Sequence, residues 1–310
     1  MEEQRAGKTN FRARLMLQVL LAISVLAALM FAQTGVSHSL ELKQYKERLF
    51  KYRKPIETRD NGNFLRLPYD PRKDINQRDS MPVRKVKGKY VSSVPTRKQI
   101  DTQITAEGRT VSHFAVGALQ GNAAMTVVFL HGRDGSRHLG FSDEKFGGNF
   151  NRVKNLMYRN GGIYLSADFT DFEEEGVRDI AALLAHYRPL TRGKMVIACG
   201  SMGSFLCWRL MKNTKTSSMI DGYVIMGGFP DPAFLATGKL SMPASSPPVY
   251  FAHGSIDSVY AWEDVYRFYQ ALRSEKPGYP VRMALFDGGK HGTPVRMIDW
   301  RVALNWIAAR

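Results

Sequence analysis

Cysteine is scarce in this sequence: the 310 residues include two, Cys199 and Cys207. Their spacing does not fit a zinc site, so we predict no metal centre. Cys199 ends a short apolar run, and Cys207 lies in the helix expected to follow it. Because a strand end and a helix interior should point the two side chains apart, we expect two free, buried thiols.

Acidic residues are also few, with 28 Asp and Glu against 44 Lys and Arg, a formal net charge of +16. The excess lies mainly in residues 36–100, which carry 17 basic and seven acidic groups. A nucleic-acid partner is not favoured, since basic and aromatic residues are not grouped beyond this segment. Near a membrane, such a stretch would be attracted to anionic lipid by roughly 1 kcal/mol per basic residue.

One apolar run is long, and it covers residues 15–32. As a helix it would span roughly 27 Å, enough for the core of a bilayer. Two interpretations compete, a secretory signal cleaved after Ala32 and an uncleaved anchor. Met30 is large for a residue near a cleavage site, which favours the anchor. We expect a membrane-anchored protein whose remaining chain lies on the periplasmic side of a bacterial inner membrane, or a secreted one if the run is cleaved.

The next segment is polar, and turn-forming residues such as those at 60–63 interrupt it. A short helix on the membrane surface is expected over residues 40–54, and the remainder has the character of a solvated linker. The predicted organisation is therefore a signal anchor or signal peptide at 1–35, a basic juxtamembrane tether at 36–83 and a folded domain at 84–310.

Short apolar runs alternate with helical patterns from about residue 84 onward. Strands are predicted at 85–94, 102–116, 125–130, 163–167, 195–200, 221–227, 248–253 and 281–286. The second of these is interrupted by a turn near Gly108. Helices are predicted at 149–159, 173–187, 205–211, 262–272 and 296–309. This alternation predicts an α/β fold with a mostly parallel sheet covered by helices on both faces.

Ser201 is placed where a buried strand turns sharply into a helix. Such a turn exposes a serine hydroxyl and requires small neighbours, because the strand and the helix almost touch there. Cys199 and Gly203 supply them two residues before and two after. The same residues could also form a Gly-Ser loop with no catalytic role. Other residues of the chain must therefore decide whether Ser201 is a nucleophile.

A serine nucleophile needs a base and an acid that orients the base. Of the seven histidines, only His291 lies in a glycine-rich loop between the last predicted strand and the last helix. Asp257 follows the preceding strand, and Asp231 and Asp287 are competing acids. The chain order of Ser201, Asp257 and His291 fits a catalytic triad.

Acyl transfer also needs donors for the developing oxyanion. The amide of Met202, the residue after the serine, is the first candidate. The second is the amide of Arg133, which follows the His131-Gly132 end of a central strand.

Four short segments together resemble the α/β-hydrolase superfamily of serine esterases and lipases: residues 128–132, 199–203, 253–257 and 290–292. The resemblance covers roughly residues 84–310. It implies an eight-stranded sheet and serine-hydrolase chemistry without a cofactor. Its implied function is hydrolysis of a small-molecule or lipid ester by an acyl-enzyme mechanism, as in an esterase or lysophospholipase. A serine peptidase or amidase, and a non-catalytic interaction protein of the same fold, are the alternatives.

Such folds often insert a lid after the strand predicted here at 221–227. The segment at that position, 229–247, has fewer than 20 residues, so we expect a minimal lid. The loop 133–148 should then shape the pocket. Arg133, Arg137 and His138 could meet an anionic substrate, and Phe146 and Phe150 could form an apolar wall.

Overall fold

The computed structural model describes residues 40–237 and 247–310. The predicted anchor at 15–32 and part of the lid segment, 238–246, lie outside the described residues. Twelve strands are described: β1 Glu57–Arg59, β2 Phe64–Pro68, β3 Asp79–Ser80, β4 Lys85–Val86, β5 Ile100–Ala106, β6 Arg109–Gly117, β7 Ala123–Leu130, β8 Ile163–Ala167, β9 Thr191–Gly200, β10 Gly222–Met226, β11 Val249–Gly254 and β12 Val281–Asp287.

The α-helices of the described ranges are α1 Glu47–Phe50, α2 Arg137–Phe141, α3 Asn149–Arg159, α4 Glu174–Tyr187, α5 Gly203–Lys212, α6 Thr214–Ser217, α7 Trp262–Glu275, α8 Thr293–Met297 and α9 Trp300–Ala308. The single helix predicted over 296–309 is thus two. Ile298 has a non-helical backbone, with φ −56° and ψ 129°, and it ends the first helix. Asp299 then caps α9 by accepting hydrogen bonds from the amides of Arg301 and Val302.

Ten strands form one sheet in the order β1-β2-β12-β11-β10-β9-β7-β8-β6-β5. Neighbours from β2 to β8 in this order are parallel, whereas β1, β6 and β5 are antiparallel to their partners. The predicted α/β architecture is therefore present. The carboxyl ends of β9, β11 and β12 lie at one edge of the sheet, where ligands of such folds bind.

Helices cover both faces of the sheet, because successive strand residues alternate between two buried clusters. In β7, Val127 belongs to one cluster and Val128 to the other. Side chains of α4, α5 and α7 complete the Val128 cluster, and side chains of α3 and α9 complete the Val127 cluster. Continuous apolar strands such as β7 are buried on both faces for this reason.

The opening of the sheet differs from the prediction. The strand predicted at 85–94 shrinks to β4, which pairs only with β3. The turn predicted near Gly108 is present, with positive φ at Glu107 and Gly108, and it divides the stretch 102–116 into the two strands of the β5–β6 hairpin. The eight strands from β5 to β12 match the predicted number, but the sheet is wider than expected.

The tether predicted at 36–83 is wrong for residues 40–83, since Leu40–Arg310 forms one compact unit. β2 pairs with β12 and adds β1 at the edge, which raises the sheet from eight strands to ten. Leu42, Phe50 and Phe64 are buried in this segment. The domain boundary therefore lies near residue 40 rather than 84. Scattered apolar residues among many charges hid this contribution.

The two cysteines are not free, because Cys199 and Cys207 form a disulfide. Their Cα atoms are 6.5 Å apart, within the usual span of such a bond. The sharp turn after β9 folds α5 back onto that strand. This close approach, rather than the separation expected from a strand and a helix, brings the sulfur atoms together.

Among residues 40–237 and 247–310, no helix combines the length and the apolar character needed to cross a bilayer.

Candidate active site

Ser201 occupies a sharp turn between β9 and α5. Its φ of +52° lies in the left-handed region, which is uncommon for a residue with a side chain. Gly203 permits the turn, since a Cβ there would lie 2.7 Å from the carbonyl oxygens of both Leu130 and His131. The predicted elbow is therefore formed, and the close approach of the Leu130 and His131 carbonyl oxygens explains why a small residue is needed at position 203.

A chain of hydrogen bonds joins the three residues predicted as a triad. His291 Nε2 lies 2.8 Å from Ser201 Oγ. On the other side of the ring, His291 Nδ1 lies 2.8 Å from Asp257 Oδ2 and 3.0 Å from Oδ1. The residues come from the ends of β9, β11 and β12, over 90 positions of sequence. Their assembly is as expected, whereas their catalytic roles remain predictions.

Hydrogen bonds fix the carboxylate of Asp257 in a position to orient the His291 ring. Its side chain is inaccessible to solvent, and its Oδ1 accepts hydrogen bonds from the amides of Val259 at 2.8 Å and Tyr260 at 3.2 Å. Burial alone would raise the pKa of Asp257, but the hydrogen bonds from His291 and the Val259 amide outweigh it, so this pKa lies below its ordinary value. The carboxylate is therefore ionised at neutral pH.

Both residues predicted to stabilise an oxyanion lie in the same cleft as Ser201. Arg133 Nε is 3.2 Å from Met202 Sδ, so the two segments meet beside the serine. Neither main-chain amide donates a hydrogen bond to another described residue. Two free amides in a cleft beside a nucleophile are the arrangement that oxyanion binding requires.

Gly132 fixes the distance between these segments. A Cβ at this position would lie 2.8 Å from Ser201 Cβ and 3.3 Å from Ser201 Oγ. We expect Gly132→Ala to push the Arg133 loop away and to lower kcat for an ester by roughly 10²–10³-fold, the cost of losing one oxyanion donor. Steady-state kinetics measure this effect. Gly88→Ala is the control, because a Cβ there meets nothing within 4 Å; equal kcat values for the two variants would contradict the assignment.

The cleft has a volume of about 340 Å³ and its walls are largely apolar. The side chains that provide most of these walls are Phe129, Leu139, Phe146, Met226, Val259, Tyr260 and Val295. Arg133 is the charged member of the lining. The space suits a small or medium acyl group next to Ser201.

Other residues singled out from the sequence have different surroundings. Arg137 forms ion pairs with Asp101 and Asp168. These two carboxylates neutralise its charge, so Arg137 is not available to an anionic substrate. Phe146 lines the cleft, whereas Phe150 is fully buried behind it against Phe129. The predicted apolar wall is thus correct for one of the two rings.

The remaining predicted loop histidines have structural roles. His131 is buried and stacks on Phe169, with ring centroids 4.3 Å apart. His253 Nε2 lies 2.9 Å from the carbonyl oxygen of Tyr260 and braces the loop that carries Asp257. His138 packs edge-on against Phe114.

Sequence reasoning missed Tyr260 and Val295, which line the cleft. The Tyr260 ring meets the His291 ring edge-on at 5.8 Å. A signal existed for Tyr260, since it follows Asp257 by three residues in the same loop. Val295 gave none, because it directly precedes the helix predicted at 296–309 and has the apolar character of a core residue.

In the part of the chain that the structure describes, no group of three or more His, Cys, Asp or Glu residues is placed to hold a metal ion.

Comparison with solved structures identifies the fold. An esterase of Pyrococcus furiosus has a TM-score of 0.52 and 16% identity, with 75% of this chain and 98% of the esterase covered. A thermostable esterase gives 0.52 and 12%, covering 69% of this chain and 63% of that one. A protein of unknown function from Agrobacterium tumefaciens, described as a putative α/β hydrolase, gives 0.51 and 15%, covering 66% and 93%.

No protein-family profile matches the sequence, and no curated protein does. The structural likeness nevertheless confirms the predicted resemblance: this chain has the α/β-hydrolase fold.

Proposed function

We propose that this protein hydrolyses a carboxylic ester through a covalent acyl-enzyme. The observation that carries the proposal is the continuous hydrogen-bonded chain from Ser201 Oγ through His291 to Asp257, in which Ser201 and His291 line an apolar cleft. Two structural neighbours named as esterases support the ester as the bond that is cleaved.

In the first half-reaction, Ser201 Oγ attacks the ester carbonyl carbon while its proton moves to His291 Nε2. The carbonyl electrons pass to oxygen, and the amides of Met202 and Arg133 stabilise that oxyanion. When the carbonyl re-forms, the alcohol oxygen departs and takes the proton from His291. The product is an acylated Ser201 and a free alcohol.

In the second half-reaction, water attacks the acyl carbon and gives one proton to His291. The intermediate collapses, and Ser201 Oγ recovers that proton as the carboxylic acid leaves. Asp257 stays ionised throughout, holds the Nδ1 proton of His291 in place and stabilises the imidazolium form. No bond in the cycle requires a cofactor.

A fluorophosphonate probe tests the nucleophile directly. Ser201 Oγ should displace fluoride from phosphorus and leave the protein covalently labelled, whereas Ser201→Ala should not be labelled, because its side chain lacks the oxygen. Ser204→Ala is a suitable control: Ser204 is fully buried and its hydroxyl accepts a hydrogen bond from the Phe229 amide. Intact mass spectrometry detects the added probe. A probe adduct that persists in Ser201→Ala would refute the proposal.

The same proposal includes attachment to a membrane through residues 15–32, which lie outside the described residues. Their apolar character and the basic residues on both sides are what support it. With that attachment, the catalytic unit would act on esters outside the cytoplasm.

A further inference from the structure

A second cavity of about 440 Å³ adjoins the catalytic cleft. The two share Phe146 and Gly292 as wall residues. Its other polar and charged lining residues are Tyr69, Asn76, Arg84, Lys290, Thr293 and Arg296. Four lining residues, among them Tyr69 and Asn76, belong to the segment predicted as a tether, and Arg84 directly follows that segment.

The charge of this cavity is of one sign. Arg84, Lys290 and Arg296 line it, and no described acidic residue does. Asp79 neutralises Arg296 through two hydrogen bonds, at 3.1 and 2.7 Å. Arg84 and Lys290 are exposed, and neither forms an ion pair with a described carboxylate. Two positive charges therefore remain available to a ligand.

The cavity also offers uncharged hydrogen-bonding side chains. Tyr69, Asn76 and Thr293 line it beside the cations. A carboxylate or a phosphate accepts several hydrogen bonds at once, so cations combined with neutral donors suit either group. Thr293 Oγ1 already accepts a hydrogen bond from the Lys290 amide, and the hydroxyls of Tyr69 and Thr293 are hydrogen-bonded to each other. The two unpaired cations are therefore the feature that favours an anion.

The position of the cavity relates it to catalysis. Lys290 and Gly292 flank His291 in sequence, so the loop that carries the base forms a wall of both spaces. A substrate whose ester bond lies at Ser201 can therefore place one end in the apolar cleft and the other in the cationic cavity.

We propose that the cationic cavity formed by Arg84 and Lys290 binds an anionic group, a carboxylate or a phosphate, on the ester that Ser201 attacks. This rests on the proposed function for the identity of the reaction. The substrate class is then an ester with a negative charge remote from the scissile bond.

Matched esters test the charge requirement. p-Nitrophenyl hexanoate and the mono-p-nitrophenyl ester of adipic acid have equally long acyl chains, and the second ends in a carboxylate. Phenyl acetate and 4-acetoxybenzoate form the second pair, in which the carboxylate is on the leaving group instead of the acyl chain. Arg84→Gln/Lys290→Gln should raise KM for at least one anionic ester by about tenfold or more, while KM for its neutral partner changes by less than about twofold.

Lys85→Gln/Lys87→Gln is the control, since both lysines are exposed and neither lines the cavity. It removes the same net charge from nearly the same segment, so it reports general electrostatic attraction. An equal rise in KM in both double variants, or no selective rise in either anionic series, would overturn the proposal.

Binding to Ser201→Ala separates this proposal from the catalytic one. Calorimetry with monomethyl adipate, and with a short-chain lysophosphatidic acid below its micellar concentration, does not depend on turnover. We expect Arg84→Gln/Lys290→Gln in the Ser201→Ala background to weaken binding of at least one of them by about tenfold. Selective loss of the adipate identifies a soluble carboxylate ester, and selective loss of the lysophospholipid identifies a phosphate headgroup. Unchanged binding of both refutes the site even if Ser201 proves to be the nucleophile.

Discussion

Replacing His291 by alanine is expected to lower kcat/KM for a neutral p-nitrophenyl ester by at least about 10³-fold. His291 Nε2, 2.8 Å from Ser201 Oγ, is the group placed to accept the serine proton. Without it, the hydroxyl attacks as a neutral and weak nucleophile. The fold should be retained, because the ring is partly exposed and packs edge-on against Tyr260 rather than within the core.

The control is His186→Ala, which removes an exposed imidazole that lies outside the cleft. Its kcat/KM should stay within about twofold of the wild-type value. Fluorophosphonate labelling should also slow strongly in His291→Ala, since the same proton transfer precedes attack on phosphorus. A loss of less than about tenfold in both assays would assign the role of base to another group.

The site could be predicted from the sequence because each of its residues follows a strand with a strong signal. β9, β11 and β12 are short apolar runs that end in small or glycine-rich turns. In a parallel sheet the carboxyl ends of such strands meet at one edge. Ser201, Asp257 and His291 were therefore brought together by topology, without any knowledge of side-chain contacts.

The contribution of residues 40–83 could not be predicted in this way. β1 and β2 are three and five residues long, and charged or polar side chains surround them. Their stability comes from pairing with β12 and from isolated buried side chains such as Phe64, which is 2% exposed. Local patterns do not report tertiary pairing of this kind, so the segment had the composition of a linker.

The disulfide was missed for a geometric reason. A strand followed by a helix normally directs side chains apart, but the tight turn at Ser201 reverses the chain within a few residues. Cys207 then faces the end of β9 from the first two turns of α5. The same close approach that requires Gly203 thus determines the pairing of the cysteines.

The proposed substrate specificity of the cationic cavity depends on residues that precede strand β5. The turns, loops and short helices that follow strands β7, β9, β11 and β12 supply Ser201, Asp257, His291 and most of the apolar cleft. Arg84, Tyr69 and Asn76 come from the preceding segment and line the space next to His291. The basic excess of residues 36–100, first interpreted as attraction to lipid, therefore contributes in part to a substrate-sized cavity.

Asp257→Asn is expected to lower kcat by roughly 10⁴-fold with little change in KM. The amides of Val259 and Tyr260 both donate to Oδ1, so the carbonyl oxygen of an asparagine must occupy that position. Its NH₂ group then replaces Oδ2 and donates to His291 Nδ1. The neutral imidazole must carry its proton on Nε2, and in that tautomer it cannot accept the proton of Ser201.

Two matched carboxylates provide controls, because both were competing acids in the sequence and both have other partners. Asp287 pairs with Arg66, and Asp231 pairs with Lys212. Asp287→Asn and Asp231→Asn should retain kcat within about threefold, as expected for changes at the periphery of the site. Denaturation by urea should show that Asp257→Asn remains folded. Among the three aspartates, only Asp257 contacts His291, so only Asp257→Asn should change the tautomer of the ring. If Asp287→Asn or Asp231→Asn lowered kcat as much as Asp257→Asn does, the assignment of Asp257 as the residue that orients His291 would be wrong.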